Sequence, residues 1–342
     1  MMRLAFGLLG ALVFAGPAAA QQTAPEAAAA KPAPAPYRIS GVVFGDYYSF
    51  PKSHLDDWKG QNGLWFRRVY FTYDHTFSPT LTTRLRLEMN SNGKLQGGAL
   101  EPYLKDAYLQ WTFSGRQRLV AGIHPSLAFE FVENVWGLRH IEKTPIDLYR
   151  IDSSRETGVS VSGPVNASGT LKYAAQFGND AGINAETDKR KGYRLAARYE
   201  TDPGLSVEGM FARSDRAGDA DRTTGQIFVA FRGERGRAGA QYVRQTRRAA
   251  DGSAAPDLEL DIYSAFGVFD VRPDKTSAFL RVDRYNDPCP DCGGIDYLPI
   301  DTSQPFTLTI AGIEYAVHPA VRISPNVEWV KYGSRAGSTT SP

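Results

Sequence analysis

The sequence predicts an all-β protein: a transmembrane antiparallel up-and-down β-barrel of about 16 strands, with 15 visible in the chain. Three observations support this prediction. Segments of about 8–13 residues alternate between apolar and polar side chains, which is the period-two pattern of strands. Short turns alternate with longer polar loops along the chain, as the periplasmic turns and external loops of such barrels do. Finally, the chain begins like an exported protein.

The first 36 residues are predicted to lie outside the barrel. A basic start at Arg3 precedes an apolar run over 4–14 and small residues over 17–20, the composition of a secretory signal peptide. We expect a signal peptide over 1–20 and an Ala- and Pro-rich leader over 21–36, with residues 37–342 as the barrel domain. The alternative is a membrane anchor, but a spanning helix needs about 20 apolar residues. Export predicts residence in the outer membrane of a Gram-negative-type bacterium.

The hairpin 65–90 gives the clearest example of the pattern. Val69 and Phe71 lie on one face of its first strand, and Arg68 lies on the other. In a barrel the apolar face meets lipid and the charged face meets a water-filled lumen. Seven aromatic residues are predicted to face lipid or its interfaces: Phe71, Tyr73, Trp111, Phe177, Tyr199, Phe211 and Phe231.

Fifteen strands are predicted in all, with ends uncertain by a few residues. They cover 37–49, 65–77, 81–90, 103–113, 117–124, 157–163, 170–177, 192–200, 205–213, 224–231, 237–245, 258–271, 276–285, 306–317 and 321–330. A soluble all-β fold is the alternative, but its Greek-key crossings would not produce a strict alternation of short and long connections. Since bacterial single-chain barrels have an even number of strands, we expect a sixteenth strand beyond the printed chain. Closure by fourteen strands is the other possibility.

The connection 125–155 is the longest and the most apolar. Such a loop should fold against protein, and the barrel lumen is available, so we predict a constriction element. A lid over the external mouth is the alternative. The constriction residues are predicted to be Glu130, Glu133, Arg139, His140, Glu142, Lys143 and Arg150.

Charged residues on the predicted inward faces form the candidate selectivity surface. They are Arg68, Arg84, Arg86, Glu88, Asp106, Arg118, Arg194, Arg198 and Arg281. Rings of charge at close range set the ion selectivity of a channel, so we expect passive diffusion of small polar or anionic solutes with a weak anion preference. The same charges could instead pair along the wall and rigidify it.

Other chemistries receive little support from the sequence. A net charge of +2 does not suggest a nucleic-acid partner. Dinucleotide, Walker and HExxH patterns are absent, and no metal site or cofactor is predicted. Cys289 and Cys292 predict a local disulfide in an exported chain, with a redox pair as the alternative. The five histidines show no nucleophile–His–acid spacing, so we predict that the chain is not an enzyme, with a barrel hydrolase as the less favoured alternative. A structural or adhesive barrel with a plugged lumen is the other rival function.

Several stretches resemble the phosphate- and polyphosphate-selective outer-membrane porins. They read FRRVYFTYDHTF, TTRLRLEMNSNG, YLKDAYLQWTF, RLVAGIHP and GLRHIEKTPIDLYRIDSSRETGVSVSG, and the similarity extends from Tyr37 to about Val330. The resemblance implies a 16-stranded channel, often a homotrimer in outer-membrane lipid, whose third loop folds inward. In that family an arginine ladder and loop lysines select phosphate. Here the inward faces mix both signs of charge.

Overall fold

The computed structural model describes residues 2–7, 35–90, 99–202, 204–289, 292 and 298–333. Within them, fifteen strands between residues 37 and 332 form one antiparallel sheet in which each strand pairs with its neighbours in the chain. A short N-terminal strand, β1 (Met2–Gly7), joins them. The fifteen are β2 (Tyr37–Lys52), β3 (Asn62–Ser78), β4 (Leu81–Asn90), β5 (Glu101–Phe113), β6 (Gln117–Pro125), β7 (Arg155–Pro164), β8 (Leu171–Gly178), β9 (Gly192–Glu200), β10 (Leu205–Ser214), β11 (Arg222–Gly233), β12 (Gly236–Arg247), β13 (Leu258–Arg272), β14 (Thr276–Tyr285), β15 (Phe306–His318) and β16 (Val321–Tyr332).

The structure confirms all fifteen predicted strands and the alternation of their connections. The short turns occupy 79–80, 114–116, 165–170, 201–204, 234–235, 273–275 and 319–320. The longer connections occupy 53–61, 91–100, 126–154, 179–191, 215–221, 248–257 and 286–305. The barrel therefore has a short-turn end and a long-loop end. Among the described residues, helices occur in the long connections: 3₁₀ turns Asp56–Trp58 and Ala217–Asp219, and helices α1 (Glu130–Trp136) and α2 (Pro145–Leu148).

Strand β1 closes the ring, which differs from the sequence prediction. It pairs antiparallel with β16, Met2 opposite Trp329, and with β2, Ala5 opposite Tyr48. The prediction placed these residues in a signal peptide and left this position to a later strand. The edges of β2 and β16 would otherwise carry unpaired N–H and C=O groups, which any extended segment can satisfy. Residues 8–34 and 334–342, which include most of the predicted leader, lie outside the described residues.

The barrel exposes its apolar face outward. Six of the seven aromatic residues predicted to face lipid are between 43% and 50% exposed: Phe71, Trp111, Phe177, Tyr199, Phe211 and Phe231. Tyr73 is half-buried against Tyr37, with ring centroids 6.5 Å apart. The interior of the same sheet holds buried arginines and carboxylates. This arrangement inverts that of a soluble domain and suits a wall surrounded by hydrocarbon.

The connection 126–154, called the inner loop below, folds into the barrel rather than over its mouth. Trp136 is fully buried, and its ring centroid lies 5.1 Å from that of Phe266 on β13 and 6.2 Å from that of Phe279 on β14. Tyr149 packs against Phe306 on β15 at 5.4 Å. The prediction of an inward third loop is confirmed.

The inner loop divides the interior into two unlike surfaces. The inward face of β11–β16 combines buried hydrophobic side chains with buried polar ones such as Gln241, Asp283 and Glu328, and the loop packs on its hydrophobic part; we call it the apolar wall. Its buried members include Phe228, Phe266, Phe279, Phe306, Leu308 and Ile310. The inward face of β3–β7 carries the ion pairs described next; we call it the charged wall.

Candidate solute pathway

Two β-bulges add cations to the charged wall. In the β2–β3 ladder, Phe44 pairs with Arg68 and Gly45 with Phe66, so Arg67 is skipped. In the β4–β5 ladder, Arg86 pairs with Asp106 and Leu87 with Leu104, so Lys105 is skipped. A bulge places two consecutive residues on the same side of a strand. Arg67 and Lys105 therefore enter the barrel beside Arg68 and Asp106, and all four are less than 7% exposed.

Glu88 on β4 lies between the two bulges and connects them. Its carboxylate is 3.3 Å from Nε of Arg68 and accepts a hydrogen bond from Nζ of Lys105. The Lys105 ammonium also lies 5.6 Å from the ring centroid of Tyr70 and 5.9 Å from that of Tyr103. A buried carboxylate shared by two cations leaves one net positive charge, and the two phenol rings orient Lys105.

A second network continues the charged wall toward the inner loop. Asp106 lies 3.2 Å from Nη1 of Arg86 and accepts a hydrogen bond from Nε of Arg155, at the end of the loop. Nε of Arg86 donates to Thr72 at 2.9 Å. Nearer the short-turn end, Arg84 pairs with Asp74 across β3 and β4. Neighbouring strands therefore contribute a continuous stripe of paired charges.

The inner loop presents its own ion pairs to this stripe. Arg139 bonds Glu133 at 2.9 Å and Asp147 at 2.6 Å, and Lys143 lies 3.4 Å from Asp147. Burial opposes ionisation of Asp147, but Lys143 and Arg139 hold its pKa well below the ordinary value. Burial lowers the pKa of Lys143, and Asp147 only partly offsets that effect. Charged groups thus stand on both sides of the space between loop and wall.

Arginines of the wall fix the loop backbone. Arg67 donates to the carbonyl of Ile141 at 2.6 Å while binding Asp46 with Nε and Nη2. On the opposite side, Arg281 donates to the carbonyl of Lys143 at 2.7 Å. Arg237 donates to the carbonyl of Trp136 at 2.8 Å, where helix α1 ends and its last carbonyls have no intrahelical donor. These charge-assisted bonds hold the loop across the barrel at several points.

The inner loop and the charged wall are closely packed where they meet. Arg68, Glu88 and Asp106 are nearly inaccessible there. Cavities of about 320 and 460 Å³ lie on the long-loop side of this layer, and cavities of about 710 and 620 Å³ lie on the short-turn side. The two pairs of cavities share no lining residue. A route between the two pairs of cavities along the charged wall would cross these ion pairs, which we call the charged layer.

The other predicted residues occupy both sides of the charged layer. Arg118, Arg198 and Glu130 line the 620 Å³ cavity near the short turns. The Arg198 guanidinium lies 3.4 Å from the Phe131 ring centroid and bonds Glu208 at 2.6 Å. His140 bonds Glu314 at 2.8 Å in the 710 Å³ cavity.

Two predicted residues stand at the long-loop side. Arg194 binds Asp152, Glu156 and Asp180 at 2.6 to 3.1 Å. Arg150 lines the 320 Å³ cavity, as Arg194 does. Charges predicted from alternation are thus distributed along the whole depth of the barrel.

Arg281 and Glu142 are both fully buried. Like Glu88 and Asp106, they line none of the four cavities above. Arg281 pairs with Asp283 at 2.5 Å and lies 5.4 Å from the Trp136 ring centroid. Arg281 is buried because β14 belongs to the apolar wall. There an inward-facing side chain meets the loop rather than open space.

Sequence reasoning missed Arg67, Lys105 and Arg155. Strict alternation assigns Arg67 and Lys105 to the lipid face, because each is next to a residue that faces inward. A bulge reverses the side on which every later residue of the strand lies, and alternation does not reveal it. The sequence feature that could have revealed the bulges is the presence of two charged residues at consecutive positions, Arg67 and Arg68 on one strand and Lys105 and Asp106 on another. A charged side chain on the lipid face is destabilising, so a bulge that turns both residues of each pair inward gives the more stable structure.

The two cysteines form a disulfide in the long connection after β14. Cys289 and Cys292 are both buried, and Nη1 of Arg247 lies 2.9 Å from Sγ of Cys292. Among the described residues no group of three or more histidine, cysteine or acidic side chains is arranged to hold a metal ion. In the same part of the chain no helix is both long and apolar enough to cross a membrane.

Comparison with known proteins bears on the fold. No family model matches the sequence, and no curated protein matches it. Solved structures do match: OmpF of Salmonella typhi in complex with daunomycin (TM-score 0.60, 8% identity, covering 86% of this chain and 97% of that one) and the anion-selective porin from Comamonas acidovorans (TM-score 0.60, 10%, 86% and 99%).

The fold is that of an outer-membrane porin. The outer-membrane channel DcaP of Acinetobacter baumannii is also similar, with a TM-score of 0.52, 12% identity and coverage of 87% of this chain and 99% of that one. The porin fold accounts for the up-and-down sheet and its alternating connections. At these identities the likeness concerns architecture, and the chemistry must be argued from this chain's own residues.

Proposed function

We propose that the chain is an outer-membrane porin through which small hydrophilic solutes diffuse passively. The observation that carries this proposal is the charged layer between the inner loop and the charged wall, inside a barrel whose outer face is apolar. Such a barrel places the long loops outside the cell and the short turns in the periplasm. In this proposal signal peptide 1–20 directs export, and its cleavage removes β1 from the ring.

The charges of the layer support an anion preference. Cations at the layer are Arg68, Arg86, Lys105, Arg139, Lys143 and Arg155, and the carboxylates are Glu88, Asp106, Glu133 and Asp147. An excess of positive charge at a narrow, poorly hydrated place favours anions over cations. The resemblance to phosphate-selective porins makes phosphate the first anion to compare with chloride. Assembly into a homotrimer in outer-membrane lipid belongs to the same proposal.

One observation favours a second candidate, a structural barrel with a plugged lumen. Glu88 and Asp106 are at most 1% exposed, so the charged layer has little open space in this conformation. Such a barrel would hold its loop by the same ion pairs but would not conduct. A measurement of ion current through the barrel distinguishes the two candidate functions.

Planar-bilayer recording of the full chain tests the proposal. We expect discrete conductance steps and, in a potassium chloride gradient, a reversal potential of the sign given by chloride preference. A conducting channel that prefers potassium would overturn the anion preference alone. Absence of conductance from protein shown by circular dichroism to be folded would favour the plugged barrel.

A further inference from the structure

Two arginines face each other at the long-loop end of the barrel without a carboxylate between them. Arg222 begins β11, Arg247 ends β12, and the two are direct partners in the ladder. Both lie on the inward side, since their neighbours Thr224 and Gln245 are buried inside the barrel. Like charges directly opposite on a sheet are destabilising. The chain therefore tolerates an arrangement that costs stability unless something neutralises it.

Among the residues that the structure describes, no carboxylate forms an ion pair with either arginine. The Arg222 side chain forms no hydrogen bond or ion pair with the residues that the structure describes. Arg247 donates from Nε to Gln245 at 2.7 Å and from Nη1 to Cys292 Sγ at 2.9 Å, which are neutral acceptors. Across the described part of the chain, neither guanidinium has an ion-pair partner.

The nearby carboxylates are occupied by other arginines. Asp180 binds Arg194 at 3.1 Å and Arg216 at 2.9 Å. Asp152 binds Arg194 with both of its oxygens, at 2.7 and 2.6 Å. The lining of the 320 Å³ cavity has six cationic and three carboxylate side chains, and carboxylates outside the lining pair with Arg194 and Arg213. Arg222 adds a cation without an ion-pair partner among the described residues, and Arg247 bonds Gln245 of the same lining. A cavity of this size has room for a small polar solute.

We propose that Arg216, Arg222 and Arg247 form a binding site for a small oxyanion at the external mouth. Guanidinium groups bind carboxylate or phosphate oxygens by paired N–H donors, and an anion here would remove the repulsion across the β11–β12 ladder. The disulfide Cys289–Cys292 acts as a positioning element, because its sulfur atoms hold Nη1 of Arg247. This inference rests on the proposed porin function and names the solute class that its mouth would collect.

The site predicts inhibition of chloride current by oxyanions. With the full chain in a planar bilayer at constant ionic strength, sodium phosphate or sodium succinate on the external side should reduce the current with saturation. Arg222→Gln and Arg247→Gln should each raise the half-blocking concentration about tenfold, the loss of one charge-assisted interaction. If phosphate and succinate both block the current, the site binds oxyanions in general. If only one of them blocks it, the site is assigned to phosphate or to carboxylate ligands accordingly.

Arg244→Gln is the matched control. Arg244 is on the same strand three residues before Arg247, but it is exposed on the outer face and pairs with Glu259. The Arg244→Gln substitution removes the same charge from the chain and should leave the block of the current by phosphate or succinate unchanged. A half-blocking concentration that is equal in native, Arg222→Gln and Arg247→Gln channels would overturn the site, as would a native current that phosphate and succinate leave unaffected.

A second readout separates this inference from the proposed function. In detergent, the same concentration of phosphate or succinate should raise the unfolding temperature of the native chain more than that of Arg222→Gln. If the chain fails to conduct yet shows this difference, the porin function falls and the site stands. If it conducts and the unfolding temperatures of both proteins respond equally, the site falls and the porin function stands.

Discussion

The charged wall and the apolar wall belong to one sheet but differ in the side chains that they direct into the barrel. On β3–β7 the inward residues include arginines, Lys105 and carboxylates that pair with one another, and large apolar residues face outward. On β11–β16 much of both faces is apolar, since Phe228 is buried inside while Ile227 and Val229 are exposed outside. The difference shows that the inner loop is held by aromatic packing on the apolar wall and by charge-assisted hydrogen bonds on the charged wall.

The largest effect is expected from removing the loop's anchor on the apolar wall. Trp136→Ala deletes a fully buried ring from between Phe266 and Phe279, which should cost about 3–5 kcal/mol. The loop should loosen, and single-channel conductance should rise. Trp111→Ala, which removes a ring 49% exposed on the outer face, is the control and should leave conductance unchanged. Equal conductance in the two variants would mean that the apolar wall does not hold the loop.

A somewhat smaller effect is expected at the centre of the charged wall. Glu88→Gln leaves Arg68 and Lys105 buried without their shared carboxylate, at a cost of about 3 kcal/mol. The reversal potential should move further toward chloride, because the layer gains one net positive charge. Glu259→Gln removes an exposed carboxylate on the outer face and should not move it. A shift toward potassium in Glu88→Gln would contradict the assigned pathway.

Next in size is the link between the charged wall and the loop. Arg67→Lys keeps the charge but loses the geometry that joins Asp46 to the Ile141 carbonyl. We expect a loss of about 1.5–3 kcal/mol and noisier open-channel current at unchanged selectivity. The noise of single-channel records is the measurement, and quiet current would show that the other arginines suffice.

The smallest effect is expected where the charged wall is most hydrated. Arg84 and Asp74 are each 31% exposed, and an ion pair open to water contributes only about 0–1 kcal/mol. Arg84→Gln should leave the unfolding temperature nearly unchanged and shift the reversal potential slightly toward potassium. A large drop in stability would mean that this pair belongs to the buried network after all.

The two walls also differ in how well the sequence predicts them. Alternation alone located all fifteen strands, because a strand between lipid and water must alternate. The apolar character of 126–154 predicted that it folds inward. On the charged wall the residues Arg68, Arg86, Glu88 and Asp106 followed from the same pattern.

What alternation could not predict lies at its interruptions. Bulges at Arg67 and Lys105 change which side chains face inward, and they depend on register between strands rather than on local sequence. The burial of Arg281 follows from the loop's position on β14, a contact between distant segments. Pairing of β1 with β2 and β16 likewise depends on which edges the rest of the sheet leaves open.

Thiol labelling of the two walls tests the central comparison most directly. Arg86→Cys replaces a side chain 25% exposed on the charged wall, and Phe279→Cys replaces one 4% exposed beneath the loop. A water-soluble, charged thiol reagent should reduce the current of Arg86→Cys channels and leave Phe279→Cys channels unaffected. Block of Phe279→Cys with no effect on Arg86→Cys would contradict the assignment of the pathway to the charged wall.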